Sequence, residues 1–299
     1  MGQDKPLAGI LLIGFSMVAL SGMDSVVKGL VGGDLPVVQI LALRSLMIVP
    51  LFLVLTLRKR GLKGLGTHRP GLHLLRVAGG IGAPLLFFNS LRTLPLADAT
   101  TIIFGATFIT TGLSALVLKE RVGRDRWTAV VIGFAGVVIA MRPTGAVLDS
   151  GALYAFGASL SYAVLVLTTR VLGQEEGTLR PVLYMHLAIG IAAGTALPFA
   201  YRPFTGAEIG LVGGVALLAV VGHVSLTRAL HLAPVGLLAP IEYTALVWAA
   251  TFGYAFWGDL PAPHTLAGAS IIVASGLYLV YRERPSGRDA QAVVPGIDT

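Results

Sequence analysis

The sequence predicts an all-α membrane protein of ten transmembrane helices, arranged as two inverted five-helix repeats. Three observations carry this expectation: ten separated apolar stretches, a composition of 12% charged and 55% hydrophobic residues at mean hydropathy +0.81, and an internal match between the two halves of the chain. A soluble domain carries about 25% charge. Nearly all of this backbone is therefore expected in lipid, where helices satisfy their own N–H and C=O groups.

A hydrocarbon core of about 30 Å takes about twenty residues at ~1.5 Å rise. That ruler places spans at residues 7–27, 37–57, 72–91, 96–118, 127–141, 151–171, 182–201, 209–230, 235–257 and 266–281. The fifth and tenth are short, and are expected to tilt little, to thin the bilayer, or to run on into polar flanks such as Arg126 and Arg282.

Short loops let the Lys/Arg bias set orientation. With the N-terminus inside, the inner segments hold Lys5, the run from Arg58 to Arg76, the run from Lys119 to Arg126, Arg170, Arg180, Arg228 and the cluster after Arg282, while the outer loops keep Lys28, Arg92, Arg142 and Arg202. Both termini are expected in the cytoplasm, with the chain in the inner (plasma) membrane. The net charge of +7 matches anionic headgroups, and no basic stretch is interleaved with aromatics as a nucleic-acid surface would need.

The first span could be read as a secretory signal ending at Ala19-Leu20-Ser21, but its loss would leave nine spans and break the repeat. Pro6 stands where a myristoylation signal needs Ser or Thr. Residues 285–299 are polar and aperiodic and read as a disordered tail. The chain has no cysteine, so disulfides, thiol catalysis and thiolate metal sites are excluded.

The internal match divides the chain into residues 1–145 and 150–284. Arg92-Thr93-Leu94-Pro95-Leu96-Ala97 parallels Arg228-Ala229-Leu230-His231-Leu232-Ala233, and each run leads into an apolar helix closing at an acid, Glu120 or Asp259. Gly133-Phe134-Ala135-Gly136 parallels Val273-Ala274-Ser275-Gly276, and Lys28 parallels Arg170. Five helices per copy is an odd number, so the second copy enters the membrane from the opposite side. Such repeats place a solute site near the midplane, where access alternates as the bundles rock.

The chain resembles the EamA family of the drug/metabolite transporter superfamily. The resemblance rests on Ala42-Leu43-Arg44, on Ser90-Leu91-Arg92-Thr93-Leu94-Pro95-Leu96-Ala97-Asp98-Ala99, on Lys119-Glu120-Arg121 and on Ala239-Pro240-Ile241-Glu242-Tyr243-Thr244, and it extends to about Arg284. It implies a ten-helix carrier of small metabolites, with amino acids a common substrate class. Gly258-Asp259 stands where the family commonly has Gly-Glu, which shortens that side chain.

Arg44 lies deep in the second span, where an arginine costs at least ~2.5 kcal/mol unless it faces protein or water. Its planar fork suits a carboxylate or phosphate; a bond to a backbone carbonyl or to Asp24 is the structural alternative. His186 falls near the corresponding place in the second copy. Glu242 follows Pro240, whose missing N–H frees a carbonyl, and it is a candidate for proton coupling or for binding a solute amine. Asp24 is a second proton-coupling candidate, although an i,i+4 ion pair with Lys28 explains both residues. Asp98, Thr100 and Thr101 read first as capping groups.

Asn89, Thr107, Thr111, Tyr162, His223, Ser225, Tyr243 and Trp248 would give a mixed cavity lining suited to a zwitterion. Trp127 and Trp257 are expected at the membrane interface. Gly79-Gly80-Ile81-Gly82-Ala83-Pro84 lacks the sixth glycine of a dinucleotide loop, so close packing explains it. Gly133 and Gly136 suit a contact between copies or within one, leaving a monomer or a homodimer open.

The expected function is secondary transport of a small-molecule solute, most simply an amino acid or related zwitterion, with a nucleotide derivative or other organic solute as the alternative. Membrane lipids are the other expected partners; no nucleic acid, cofactor or metal is called for. The rival classes are a lipid-scrambling or structural protein and an intramembrane enzyme. The enzyme lacks its usual signatures, having neither a His-Glu-x-x-His run nor paired aspartates at helix depth.

Overall fold

A computed structural model describes residues 6–61, 67, 69–117, 123–142, 149–176 and 179–282. The expected tail and the Lys119-Glu120-Arg121 run lie outside these residues.

Twelve helices follow one another: α1 (Pro6–Gly32), α2 (Val37–Arg60), α3 (Pro70–Ser90), α4 (Leu96–Ile103), α5 (Ala106–Val117), α6 (Arg124–Met141), α7 (Ser150–Glu176), α8 (Leu179–Ala200), α9 (Gly206–Leu232), α10 (Val235–Glu242), α11 (Thr244–Trp257) and α12 (Pro263–Arg282). They match the ten apolar stretches, with two corrections. The fourth and ninth stretches are each broken into a short helix and a longer one. Among the described residues, eight stretches are long and apolar enough to cross a membrane. The fifth and ninth fall short, because Arg124, Asp125 and Arg126 load the first turn of α6 and because α10 and α11 have 8 and 14 residues.

The two breaks share a design. α4 and α10 are both 8 residues long, and each has proline at its N-cap, Pro95 and Pro234. Proline is pre-set for a helix start. The first break follows at Phe104-Gly105, where α6 comes so close that a Cβ on Gly105 would lie 2.8 Å from the Val137 side chain. The second falls at Tyr243, just after Pro240, which donates no backbone hydrogen bond.

The most extensive interfaces pair α1 with α9, α3 with α7, α2 with α8 and α6 with α12. Each joins a helix from the first half of the chain to one from the second. Small residues allow the approach: a Cβ on Gly79 would lie 2.7 Å from the Ser161 carbonyl oxygen, and one on Gly268 2.5 Å from that of Gly136. Gly133 and Gly136 thus serve contacts inside one chain, against Phe108 and α12. Ser16 Oγ donates to the Gly222 carbonyl at 2.9 Å and Ser275 Oγ to that of Ala129 at 2.6 Å, tying α1 to α9 and α12 to α6.

Leu30, Leu35, Ile40, Phe88, Leu96, Phe108, Val212 and Ile272 belong to one buried apolar cluster that draws on both halves. The outer surface carries exposed Leu7, Leu11, Phe15, Leu46, Ile191 and Phe199, a belt suited to lipid.

One end of the bundle is laced shut. Lys28 Nζ bonds Asp259 Oδ2 at 2.8 Å and the Leu94 carbonyl at 3.0 Å. Arg92 donates to the Leu35 carbonyl at 3.2 Å, and Arg202 to the carbonyls of Gly33 at 3.0 Å and Asp34 at 3.3 Å. Gln39 exchanges hydrogen bonds with the Arg202 backbone at 2.7 and 3.1 Å. The expected Asp24 to Lys28 pair is therefore not formed: Lys28 reaches past its own helix to the opposite half. Trp257 is held there too, its ring centroid 5.4 Å from Lys28 Nζ, so it does more than mark an interface. At the other end Arg76 meets Thr169 at 3.0 Å and Arg282 meets Asp125 at 3.4 Å.

Candidate solute site

The breaks bring polar groups to the middle of the bundle. Glu242 closes α10, and Tyr243, in the gap, has its ring centroid 5.4 Å from that of Phe104 in the other gap. The Tyr243 hydroxyl rests where any side chain at position 276 would collide with it, so Gly276 of α12 makes room for the tyrosine. Glu242 is half-buried, with Tyr162 of α7 and Tyr243 as its electrostatic neighbours. Among the described residues no basic side chain pairs with it. Tyr162 is 43% exposed although it lies mid-helix, and Thr107 and His223 are exposed as well.

A second group gathers on α1, α2, α8 and α9. Arg44 is buried at 7% exposure, its Nε has no acceptor, and it makes no hydrogen bond to a described residue. Neither the expected backbone bond nor a direct ion pair with Asp24 is present. Asp24, His186 and His223 are nonetheless within its electrostatic reach. His186 is equally buried, stacks on Phe52 at 6.2 Å and leaves Nδ1 without a partner. Burying such groups unpaired costs about 1–3 kcal/mol each, so a guest that accepts from Arg44 would find its donors ready.

The other expected residues are placed less usefully. Asn89 Nδ2 bonds the Leu85 carbonyl of its own helix at 2.7 Å, and Thr111 bonds that of Thr107 at 3.0 Å. Trp248 stacks on Phe252 at 6.0 Å and packs on the cluster of Ile13, Met17 and Leu238. Ser225 is buried on α9. Asp98 does not cap α4: Pro95 holds the N-cap position without a side-chain bond, Thr100 and Thr101 bond back to Leu96 and Ala97, and Asp98 Oδ1 is buried without a partner.

Sequence reasoning missed two features. Arg76, which the charge bias places among the inner-loop cations, is buried at 4% exposure and bonds Thr169 of α7. A capping box links Thr205 and Glu208 at the start of α9, and the Thr-x-x-Glu spacing carried that signal. A cleft of about 400 Å³ between α2 and α8 is lined mostly by apolar side chains such as Leu43, Leu46, Leu187 and Ile191, with Gln39, Ser45 and Tyr201 among them.

The model of the EamA-like transporter family matches this chain twice, over residues 7–142 and 149–282. The chain is similar to a pseudopaline exporter of Pseudomonas aeruginosa, 28% identical over 93% of this chain and 98% of that one. It is also similar to an S-adenosylmethionine uptake transporter of Rickettsia prowazekii, 29% identical over 76% and 77%, and to a riboflavin transporter of Rhizobium johnstonii, 29% identical over 78% of each. A crystal structure at 19% identity superimposes with a TM-score of 0.61, covering 95% of this chain and all of the other, and shares the fold. With both halves of the chain matched in this way, the protein belongs to the EamA-like transporter family.

Proposed function

We propose that the protein is a secondary transporter that carries a small metabolite across the inner membrane by alternating access, holding it between Glu242 and Arg44. The observation that carries this reading is Glu242: a half-buried carboxyl with two tyrosines and, among the described residues, no basic side chain for company, so the counter-charge comes from a solute or a proton. Arg44, unpaired on the neighbouring group of helices, is suited to a carboxylate or phosphate at the other end of the same molecule.

A molecule with an amine and an acidic group fits both, and an amino acid or related zwitterion is the simplest. The relatives are named for pseudopaline, S-adenosylmethionine and riboflavin, which favours a larger zwitterion or a nucleotide derivative as the second reading. Residues 1–145 and 150–284 are the two five-helix repeats, inverted with respect to each other, with both termini in the cytoplasm. The twice-matched family model and the paired proline-started short helices support that arrangement. Membership of a transporter family speaks against the enzyme reading.

The test is flux in proteoliposomes holding the purified chain. Saturable, solute-specific uptake that Glu242→Gln alters is expected. Flux of lipid alone, or none for any zwitterion or nucleotide derivative, would leave the structural or scrambling reading.

A further inference from the structure

At the Lys28 to Asp259 bond lies a cavity of about 260 Å³ that shares no lining residue with the central site, lined by Lys28, Arg92, Leu94, Trp257 and Asp259 among others. Three of its properties belong to a binding site. First, its charges are mixed, two basic groups and one acidic, and its walls include the Trp257 ring, 38% exposed. Second, its donors and acceptors are only partly used: Arg92 makes one hydrogen bond to a described residue, and Asp259 takes Lys28 on Oδ2 alone. Third, its floor is one of the contacts that join the halves at this end, because Lys28 belongs to α1 and Asp259 follows α11.

Opening this end means separating an ion pair whose side chains are 11% and 31% exposed. Leaving either charge unpaired is costly. A guest carrying a single charge satisfies one partner and strands the other. A zwitterion satisfies both, its ammonium taking the place of Lys28 on Asp259 and its carboxylate binding the freed Lys28 and Arg92.

We propose that this cavity is a second solute site, selective for small amino-carboxylate zwitterions with an apolar side chain that packs on Trp257, and that its occupancy releases the Lys28 to Asp259 latch. The inference rests on the transporter reading, since it supplies the step by which solute enters at this end. A ligand shifts a conformational equilibrium only by its differential affinity, and here the difference is built in: the same two charges serve either the latch or the guest.

Gly253 reports on the latch. It is buried directly beneath Asp259, and a Cβ there would make only ordinary contacts, 3.7 Å or more from its neighbours. Because the chain lacks cysteine, Gly253→Cys in the full-length purified protein supplies a single thiol, whose labelling by a membrane-impermeant maleimide is followed with time. L-phenylalanine should accelerate labelling about fivefold, the low end of coupling between sites, whereas phenylacetate and phenethylamine should not. Lys28→Met should expose the thiol without any ligand, and Arg92→Gln should abolish the phenylalanine effect while Arg92→Lys keeps part of it. Acceleration by the singly charged analogues, no response to phenylalanine, or a thiol still protected in Lys28→Met would overturn the proposal. Phenylalanine uptake is measured in parallel: labelling that responds without uptake sinks only the transport reading, and uptake without a labelling response sinks only this one.

Discussion

Tyr162 on α7 and Glu242 at the end of α10 act on each other electrostatically, yet their two helices share no extensive interface. No hydrogen bond or ion pair with a described residue fixes either side chain. Glu242 therefore has polar company without a fixed partner, and the consequences of changing it are specific.

Glu242→Gln keeps the shape and removes the charge. In the unmodified protein, apparent solute affinity should weaken across a range of falling pH, because protons compete with the solute amine for the Glu242 carboxylate. The glutamine variant should bind weakly throughout and lose that dependence. Initial uptake rates across the range check it; a pH profile like that of the unmodified protein removes Glu242 from the mechanism.

Arg44 makes no hydrogen bond to a described residue, so its loss should cost little structure. Arg44→Ala should lower the melting temperature in detergent by no more than about 2–4 °C, the equivalent of ~1 kcal/mol, while flux of acidic solutes falls to background. Arg44→Lys keeps the charge but not the planar fork and should recover flux only in part. A variant that fails to fold would show that Arg44 is structural.

Gly79→Val places a branched side chain against the Ser161 carbonyl of α7, where even a Cβ would lie at 2.7 Å. Overpacking of this kind costs about 1–3 kcal/mol. The expected result is a clear fall in melting temperature, measured by nanoscale differential fluorimetry. A neutral effect would mean that the α3 to α7 seam yields easily.

Lys28 and Asp259 should show coupling in a double-mutant cycle. With both partly shielded, each single replacement leaves a charge stranded and the double replacement does not. A coupling of about 1–2 kcal/mol in unfolding free energy is expected. Additive effects would reduce the contact to an incidental surface pair.

Much of the helical layout was legible because long apolar runs have one solution in lipid. The starts and ends were less so: α1 runs to Gly32, beyond the apolar stretch that ends at residue 27, because helical hydrogen bonding continues past the hydrocarbon into the polar turn. The break at Phe104-Gly105 lay inside an unbroken apolar run, and only the later approach of Val137 explains it. Arg44 and Glu242 stand out as candidates from depth alone, since charge at mid-span is expensive. The partner of Lys28 was not, because a local Asp24 offered a plausible pair and nothing in spacing points to a residue at position 259. Asp98 misled for a similar reason: its place near a helix start suggests a cap, while burial decides its surroundings.

The four main seams have a consequence for biogenesis. Every one of them joins an early helix to a late one, so α1 is in the bilayer long before α9 has been synthesised. The nascent first half holds Gly79, Gly136 and Ser16 in faces built for helices that do not yet exist. Quality control therefore meets a loosely associated, half-built bundle, and a ribosome stalled near residue 142 should yield a product destined for membrane proteolysis rather than a working half-transporter.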